Sequence, residues 1–371
     1  MGSKSSLCRW GILGTAGIAR KNWHAILNSG NSDLTCVASR SESRAQEFID
    51  SCQCLVPFPT TPRAIGSYEG LLASDQLDAV YIPLPTGVRK EWVIRAAEAG
   101  KHVLVEKPCA VNAADLAEML AACEKNGVQF MDGVMFMHSS RLPAMREVFR
   151  ERRQLGEINR IMSQFSFLAP EGFLESNIRA SSDLEPLGCL GDLGWYTVRF
   201  STWAMDWQMP ERVRGQLLQG HRRADCSQEV PIEFCGELYF AGGVTAEFYT
   251  SFRTQHQQWV SISGTRGHLR IDDFVLPYFG SELTFETTNA EYHFHGCSFD
   301  MEPHRQTHRV SEYSNNTPNA QESKMIRTFA QNVLSASIDP HWGRIALQTQ
   351  RILDTLVRSA QQGGVSLAMD A

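Results

Sequence analysis

Cys8-Arg9-Trp10-Gly11-Ile12-Leu13-Gly14-Thr15-Ala16-Gly17-Ile18-Ala19 decides the fold class. Leu7–Leu13 is a short apolar run that predicts a strand ending at Gly14. Ala16–Leu27 then takes helical spacing through Ile18, Trp23, Ile26 and Leu27. A strand that turns through small residues straight into a helix points backbone N–H groups and the positive end of the helix at one spot. A pyrophosphate can settle there. Gly14, Thr15, Ala16, Gly17 and Ile18 are therefore candidate cofactor-binding residues. Ala16 and Ala19 stand where a full G-x-G-x-x-G has its second and third glycines, so the loop alone leaves an ordinary strand–helix turn open.

The same alternation continues outward from this loop. Strands are expected at Leu34–Ser39, Asp78–Leu84, Lys101–Glu106 and Val128–Met135. Helices are expected at Ser41–Asp50, at Val88–Ala99 with Gly100 as its stop, and after Asn112, which caps a helix that Gly127 ends. Strand–helix alternation over about 135 residues predicts a parallel α/β sheet. Beyond Met137 the pattern changes. Glu157–Phe167, Cys235–Phe240, Gly243–Phe252, Gln258–Gly264 and His268–Phe274 read as short strands. Ala241-Gly242-Gly243 and Thr265-Arg266-Gly267 supply hairpin-turn chemistry. Such a series predicts an antiparallel sheet. Helical patterning returns at Gln321–Ser335 and Ile345–Gln361. The expected organisation is a Rossmann domain at 1–136 followed by an α+β substrate and oligomerisation domain at 137–371.

Composition limits the function classes. The 371 residues are 43% hydrophobic and 20% charged with a net charge of −6, which argues against a nucleic-acid partner. No run of 18 apolar residues occurs, so no membrane span is expected. Ten scattered cysteines without a C-x-x-C read as reduced thiols, and the cytoplasm is the expected location. His293/His295 and His304/His308 have close spacing but no acid or cysteine in ligand spacing. Their surroundings read as loop, and no metal site is expected.

Two strand ends carry further chemistry. Where an acidic residue would hold the adenosine ribose, the chain reads Ala38-Ser39-Arg40-Ser41. An arginine there can pair with a 2′-phosphate, so Ser39 and Arg40 point to NADP over NAD. Glu106-Lys107-Pro108 ends a buried strand on the side where ligands bind. A lysine at that place is either a functional group or one reaching out to solvent.

At these residues the chain resembles the Gfo/Idh/MocA oxidoreductases. The resemblance rests on the phosphate loop, Ile82-Pro83-Leu84-Pro85-Thr86, Glu106-Lys107-Pro108, Gly188–Tyr196 and Gly264-Thr265-Arg266-Gly267. It is nearest to the D-xylose dehydrogenase, dihydrodiol dehydrogenase and sugar-ketoreductase branches. The resemblance implies a Rossmann domain followed by an open, mostly antiparallel sheet, with hydride transfer between nicotinamide and a carbohydrate-type alcohol or ketone. It also implies a homodimer through that sheet. It adds Pro83, Leu84, Pro85, Glu106 and Lys107 to the cofactor set. It further implies that Asp192 and, four residues on, Tyr196 lie beside the substrate.

On a regular helix Asp192 and Tyr196 share one face. Lys107 and Tyr196 are the expected acid–base pair, a lysine near the nicotinamide being suited to the task by a lowered pKa. Asp192 is expected to orient the substrate hydroxyl or Lys107. Arg179, His138 and Trp195 are candidate substrate contacts. Arg89 stands where many relatives carry a histidine and receives no role. The competing readings are a trans-dihydrodiol dehydrogenase and a non-catalytic NADP-binding regulator.

Overall fold

Six parallel strands account for the apolar runs in the first third of the chain. They are β1 (Cys8–Leu13), β2 (Ser32–Ala38), β3 (Arg63–Ile65), β4 (Ala79–Ile82), β5 (His102–Val105) and β6 (Phe130–Asp132), in the order β3-β2-β1-β4-β5-β6. All five pairings are parallel. The strand order reverses between β1 and β4, the switch point at which such sheets bind ligands beyond the carboxyl ends of their strands. Helices α1 (Gly17–Asn28), α2 (Glu42–Leu55), α3 (Tyr68–Leu72), α4 (Thr86–Glu98) and α5 (Ala113–Lys125) connect the strands. Buried Ala79–Ile82 and Val103–Val105 explain the unbroken apolar runs, since a parallel sheet is covered on both faces. Asn112 caps α5 as expected, its side chain accepting from the Asp115 N–H at 2.9 Å. Ser41 caps α2 in the same manner.

The structure is a computed structural model that describes residues 7–369. It divides into two units. The first takes the chain up to His138, together with Asp183–Pro186 and Asn315–Arg351. The second is formed by Ser139–Ser182, Leu187–Ser314 and the chain from Ile352 on.

The second unit is built on a nine-stranded sheet. Its strands are β7 (Ile158–Ser166), β8 (Arg212–His221), β9 (Val230–Tyr239), β10 (Thr245–Ser251), β11 (Gln257–Gly264), β12 (His268–Ile271), β13 (Glu282–His295), β14 (Ser298–Ser311) and β15 (Leu367–Ala368). Their order is β14-β13-β12-β11-β7-β10-β9-β8-β15. Every pairing is antiparallel except β10 on β7. The mostly antiparallel expectation is thus met.

Helices α6 (Arg141–Glu151), α7 (Phe173–Ser176) and α8 (Trp195–Ala204) belong to this unit. All ten residues of α8 are buried, which makes it a core helix of this unit. Its Phe200 meets Phe274 edge-on at 5.6 Å. Two C-terminal helices, α9 (Gln321–Leu334) and α10 (His341–Gln361), match the expected helical patterns; α9 lies in the first unit.

The histidines expected in loop are instead on a long hairpin. His293 and His295 lie on β13, and His304 and His308 on β14, paired over 14 residues each. Strand β8 also escaped the sequence reading. Among the described residues no group of three or more His, Cys, Asp or Glu is placed to hold a metal ion. None of the described helices is long and apolar enough to cross a membrane.

Candidate functional site

The cofactor candidates of the first unit all fall at the carboxyl ends of adjacent strands. Gly14–Ile18 follow β1, Ser39-Arg40 follow β2, Pro83–Pro85 follow β4, and Glu106-Lys107 follow β5. Gly14 has φ +123°, a conformation that side chains disfavour, and a Cβ there would lie 2.9 Å from Leu84 Cδ2. The small residue thus lets the β1 and β4 loops touch. No side chain caps α1, its first turn carries no acid, and a Cβ added at Gly17 would meet nothing within 4 Å. An uncapped helix start with open space before it suits an anion. Ile18 is 42% exposed beside it.

At the end of β2 the side chains divide their work. Ser39 is buried and Ser41 caps α2, which leaves Arg40 as the exposed group. A second arginine, Arg44, lies in the first turn of α2 and is also exposed. Burial raises the Tyr68 hydroxyl above its ordinary pKa, and Arg40 and Arg44 both pull it back. Two guanidiniums bearing on one place fit a phosphate. These features together fit a dinucleotide carrying a 2′-phosphate.

Glu106 and Lys107 face different tasks. Glu106 is buried, and its Oε1 accepts from the Tyr81 hydroxyl at 2.6 Å and from Asn22 Nδ2 at 3.4 Å. Its carboxylate thereby ties β5 to β4 and α1. Lys107 is half-buried and joined to Pro108 by a cis peptide. The carbonyl of Pro108 accepts from Arg89 Nη1, and the carbonyl of Leu84 accepts from Arg89 Nε at 2.9 Å and from Nη2. Arg89 is 2% exposed. It fastens the Pro83–Pro85 loop to the loop after Lys107.

In the second unit, Asp192 and Tyr196 do not lie on one regular helix. Leu190–Gly194 forms a π-helical turn that runs into α8 at Trp195. Such turns place side chains at angles that an α-helix does not offer and recur at functional sites. Arg179 Nε reaches Asp192 Oδ2 at 2.8 Å, which brings two separately chosen candidates together. Asn177 holds the Arg179 backbone, accepting from its N–H at 3.0 Å. Tyr196 is 6% exposed and packs edge-on against Phe165 at 5.7 Å. A carboxylate and a guanidinium side by side offer acceptors and donors at the spacing that neighbouring hydroxyls use.

Two candidates are core groups instead. Trp195 has no exposed surface and lies under the Arg199 guanidinium, 5.7 Å from the ring, so it cannot wall a ligand. His138 stacks on Trp342 at 4.7 Å with its Nε2 enclosed. Burial, and secondarily Lys324, push its pKa down to about 3, so it stays neutral and inside the first unit.

Comparison with known proteins decides the family. Residues 8–134 match the profile described as an oxidoreductase family with an NAD-binding Rossmann fold, and residues 144–270 match the GFO/IDH/MocA C-terminal domain. A D-xylose 1-dehydrogenase (NADP(+)) from Haloferax volcanii is 35% identical over 75% of this chain and 80% of its own length. The chain belongs to the Gfo/Idh/MocA oxidoreductase family. A trans-1,2-dihydrobenzene-1,2-diol dehydrogenase from Sus scrofa is 29% identical over 71% of this chain and 74% of that protein. A crystal structure of a 3-ketoreductase from Actinomadura kijaniata with NADP and TDP-benzene gives a TM-score of 0.78 at 24% identity. The match covers 95% of this chain and 98% of that one, and it shows the shared fold.

For this Gfo/Idh/MocA chain, sequence reasoning missed Arg44, Arg89 and Glu185. Arg44 had a signal, the i+4 spacing from Arg40 at the start of α2. Arg89 received no role in the sequence. Glu185, whose carboxylate meets Thr86 across 99 residues of chain, had none.

Proposed function

We propose that the protein is an NADP-dependent oxidoreductase that transfers a hydride between the nicotinamide and a sugar or polyol carbon bearing a hydroxyl or keto group. The observation that carries this reading is the convergence of Gly14–Ile18, Arg40, Pro83–Pro85 and Glu106-Lys107 at the carboxyl ends of neighbouring strands of a 3-2-1-4-5-6 sheet. NADP(H), when bound, gives or takes the hydride. Gly14–Ile18 cradle the pyrophosphate, and Arg40 with Arg44 pairs with the 2′-phosphate. Lys107 and Tyr196 share acid–base duty, protonating the developing alkoxide in reduction and removing that proton in oxidation. Asp192, held by Arg179, accepts from a substrate hydroxyl and orients the ring. The sugar-active relatives support this substrate class. The exposed face of the nine-stranded sheet is the surface we assign to a homodimer. The cytosol suits ten scattered cysteines without a C-x-x-C.

NADP is expected to bind at least tenfold tighter than NAD, about 1.4 kcal/mol. A charge-assisted pair at Arg40 supplies that much. Arg40→Asp should erase or invert the preference, read by fluorescence titration of the two reduced cofactors. Equal dissociation constants in the unmodified protein would remove the assignment.

Substrate class follows from the polarity of the Asp192–Arg179 pair. An aromatic dihydrodiol would desolvate these groups while pairing few of them, whereas a ring with several hydroxyls pairs more. A pyranose or its keto derivative is therefore expected to show higher kcat/KM than a trans-dihydrodiol. Deleting one recognised hydroxyl from the best sugar should cost on the order of 10²-fold or more, well beyond a methylene. A panel of aldoses, keto-sugars, inositols and dihydrodiols, followed by NADPH absorbance, gives the answer. Turnover confined to dihydrodiols would transfer the assignment to the diol reading.

A further inference from the structure

Helix α4 opens beside the Pro83–Pro85 loop, yet its N-cap position holds Pro85, which has no side-chain cap to offer. The cap comes from a distant stretch, Asp183–Pro186, which packs with the first unit. Glu185 accepts from the Thr86 N–H through Oε1 at 3.0 Å and from the Thr86 hydroxyl through Oε2 at 2.6 Å. The hydroxyl has one proton, and Glu185 at 2.6 Å outcompetes the Pro108 carbonyl at 3.4 Å for it. A carboxylate at a helix start is favoured by the helix dipole. One residue on, the Gly87 N–H donates to the Leu184 carbonyl at 2.8 Å. A Cβ at Gly87 would lie 2.0 Å from the Asp183 carbonyl oxygen, so only glycine permits this approach.

The other side of Thr86 leads to the reacting residues. Its hydroxyl oxygen accepts from Arg89 Nη1 at 3.3 Å, and the same nitrogen donates to the carbonyl of Pro108, the residue after Lys107. The bonded path thus runs from the Lys107-Pro108 turn through Arg89 and Thr86 to Glu185. From Glu185 the chain itself runs on, through Pro186 and Leu187, into the π-helical turn with Asp192 and then Tyr196. We propose that Glu185 is a positioning residue, a latch through which NADP(H) on the Pro83–Pro85 loop orders the segment carrying Asp192 and Tyr196. The inference rests on the acid–base reading of Lys107, Asp192 and Tyr196 given above. A simple helix cap would stabilise α4 and do no more. A latch also transmits cofactor occupancy to residues 187–196.

The test is hydrogen exchange on the full chain with and without NADPH, alongside steady-state kinetics. In the unmodified protein, NADPH should slow exchange at residues 14–18 and also at 187–196. Glu185→Ala should keep the first protection, lose the second, and lower kcat by about 10- to 10²-fold with NADPH affinity held. Glu185→Gln retains one acceptor oxygen and should recover part of both effects. Gly87→Ala pushes Asp183 away from the other side and should reproduce the loss without touching the carboxylate, which covers the case of a poorly folding Glu185→Ala. Equal protection of 187–196 in the unmodified protein and in either alanine variant would overturn the latch. So would its absence from an unmodified protein that turns over. Missing protection at 14–18, or no turnover at all, would instead count against the oxidoreductase reading and leave no role for a latch.

Discussion

Lys107→Met is expected to lower turnover by ~10²–10⁴ with NADP(H) affinity nearly unchanged. The side chain removed is the ammonium at the end of β5, while the groups assigned to the pyrophosphate and the 2′-phosphate, Gly14–Ile18 and Arg40, sit on other strand ends and stay as they are. Methionine keeps the length and apolar bulk of the lysine stem, so the half-buried position is filled and only the proton carrier is lost. Tyr196→Phe should fall by a similar factor, because it deletes one hydroxyl from a ring fixed against Phe165. The double variant should lose less than the product of the singles if the two residues serve one proton transfer. Single-turnover kinetics with a saturating sugar, beside NADPH titration, separates the terms. Full turnover in Lys107→Met would end its role as acid or base. A strictly multiplicative double variant would mean that the two residues act on separate steps.

The parts of this fold that were legible in the sequence are those in which a buried backbone imposes a residue type. β1, α1, β4 and β5 could be read because a covered parallel strand must be apolar throughout and a phosphate loop must be small. Strand β9 was only half visible: Cys235–Phe240 was read, whereas the strand starts at Val230. The β13–β14 hairpin was invisible for the opposite reason. Beyond Thr287 its residues are exposed or half-exposed on both faces, so the alternation of polar with apolar residues at Glu291–His295 and Ser298–His304 serves no buried face, and the surroundings of the histidines read as loop. Tyr292 and Phe294, with their partners Met301 and Phe299, are the apolar members of that alternation, and they stay exposed on one face.

The site divides along the same line. Motif residues declared themselves because chemistry limits what can stand there. Trp195 was misjudged because spacing from Asp192 says nothing about depth, and the π-helical turn changes which way each side chain points. Asp192 and Arg179 are each expected beside the substrate, and only the structure shows their 2.8 Å contact. Arg89 receives no role in the sequence. Its partners are the Thr86 hydroxyl and two main-chain carbonyls, and the carbonyls have no residue-type signature at all.

Arg89→Met should cost about 2–4 kcal/mol of stability, the second large effect expected, because it leaves two loop carbonyls without their donors. Arg89 is 2% exposed and donates to Leu84, Pro108 and Thr86, so water is poorly placed to replace it. A buried guanidinium without a bonded carboxylate is held by these carbonyl dipoles and by acids close by. Glu185 reaches it through Thr86, and Glu106 and Arg89 act with opposite sign on the Tyr81 hydroxyl. Methionine can occupy the volume and satisfies none of the acceptors. The loss should appear as a fall in the thermal midpoint of about 5–15 °C for a unit of this size. Arg89→His offers at most two ring nitrogens to the same carbonyls and should fall between. Because Leu84 is one of the residues assigned to NADP(H) and Pro108 follows another, saturating NADPH should return part of the lost midpoint in both variants, as binding to the folded form requires. Turnover of Arg89→Met should drop through Lys107 even where the protein is folded, since its neighbouring carbonyl has lost its anchor. Differential scanning calorimetry with and without NADPH, followed by kinetics below the midpoint, measures all of this. A midpoint within 2 °C of the unmodified protein would show, at roughly 2–4 °C per kcal/mol, that the carbonyls find other donors and that Arg89 holds nothing in place.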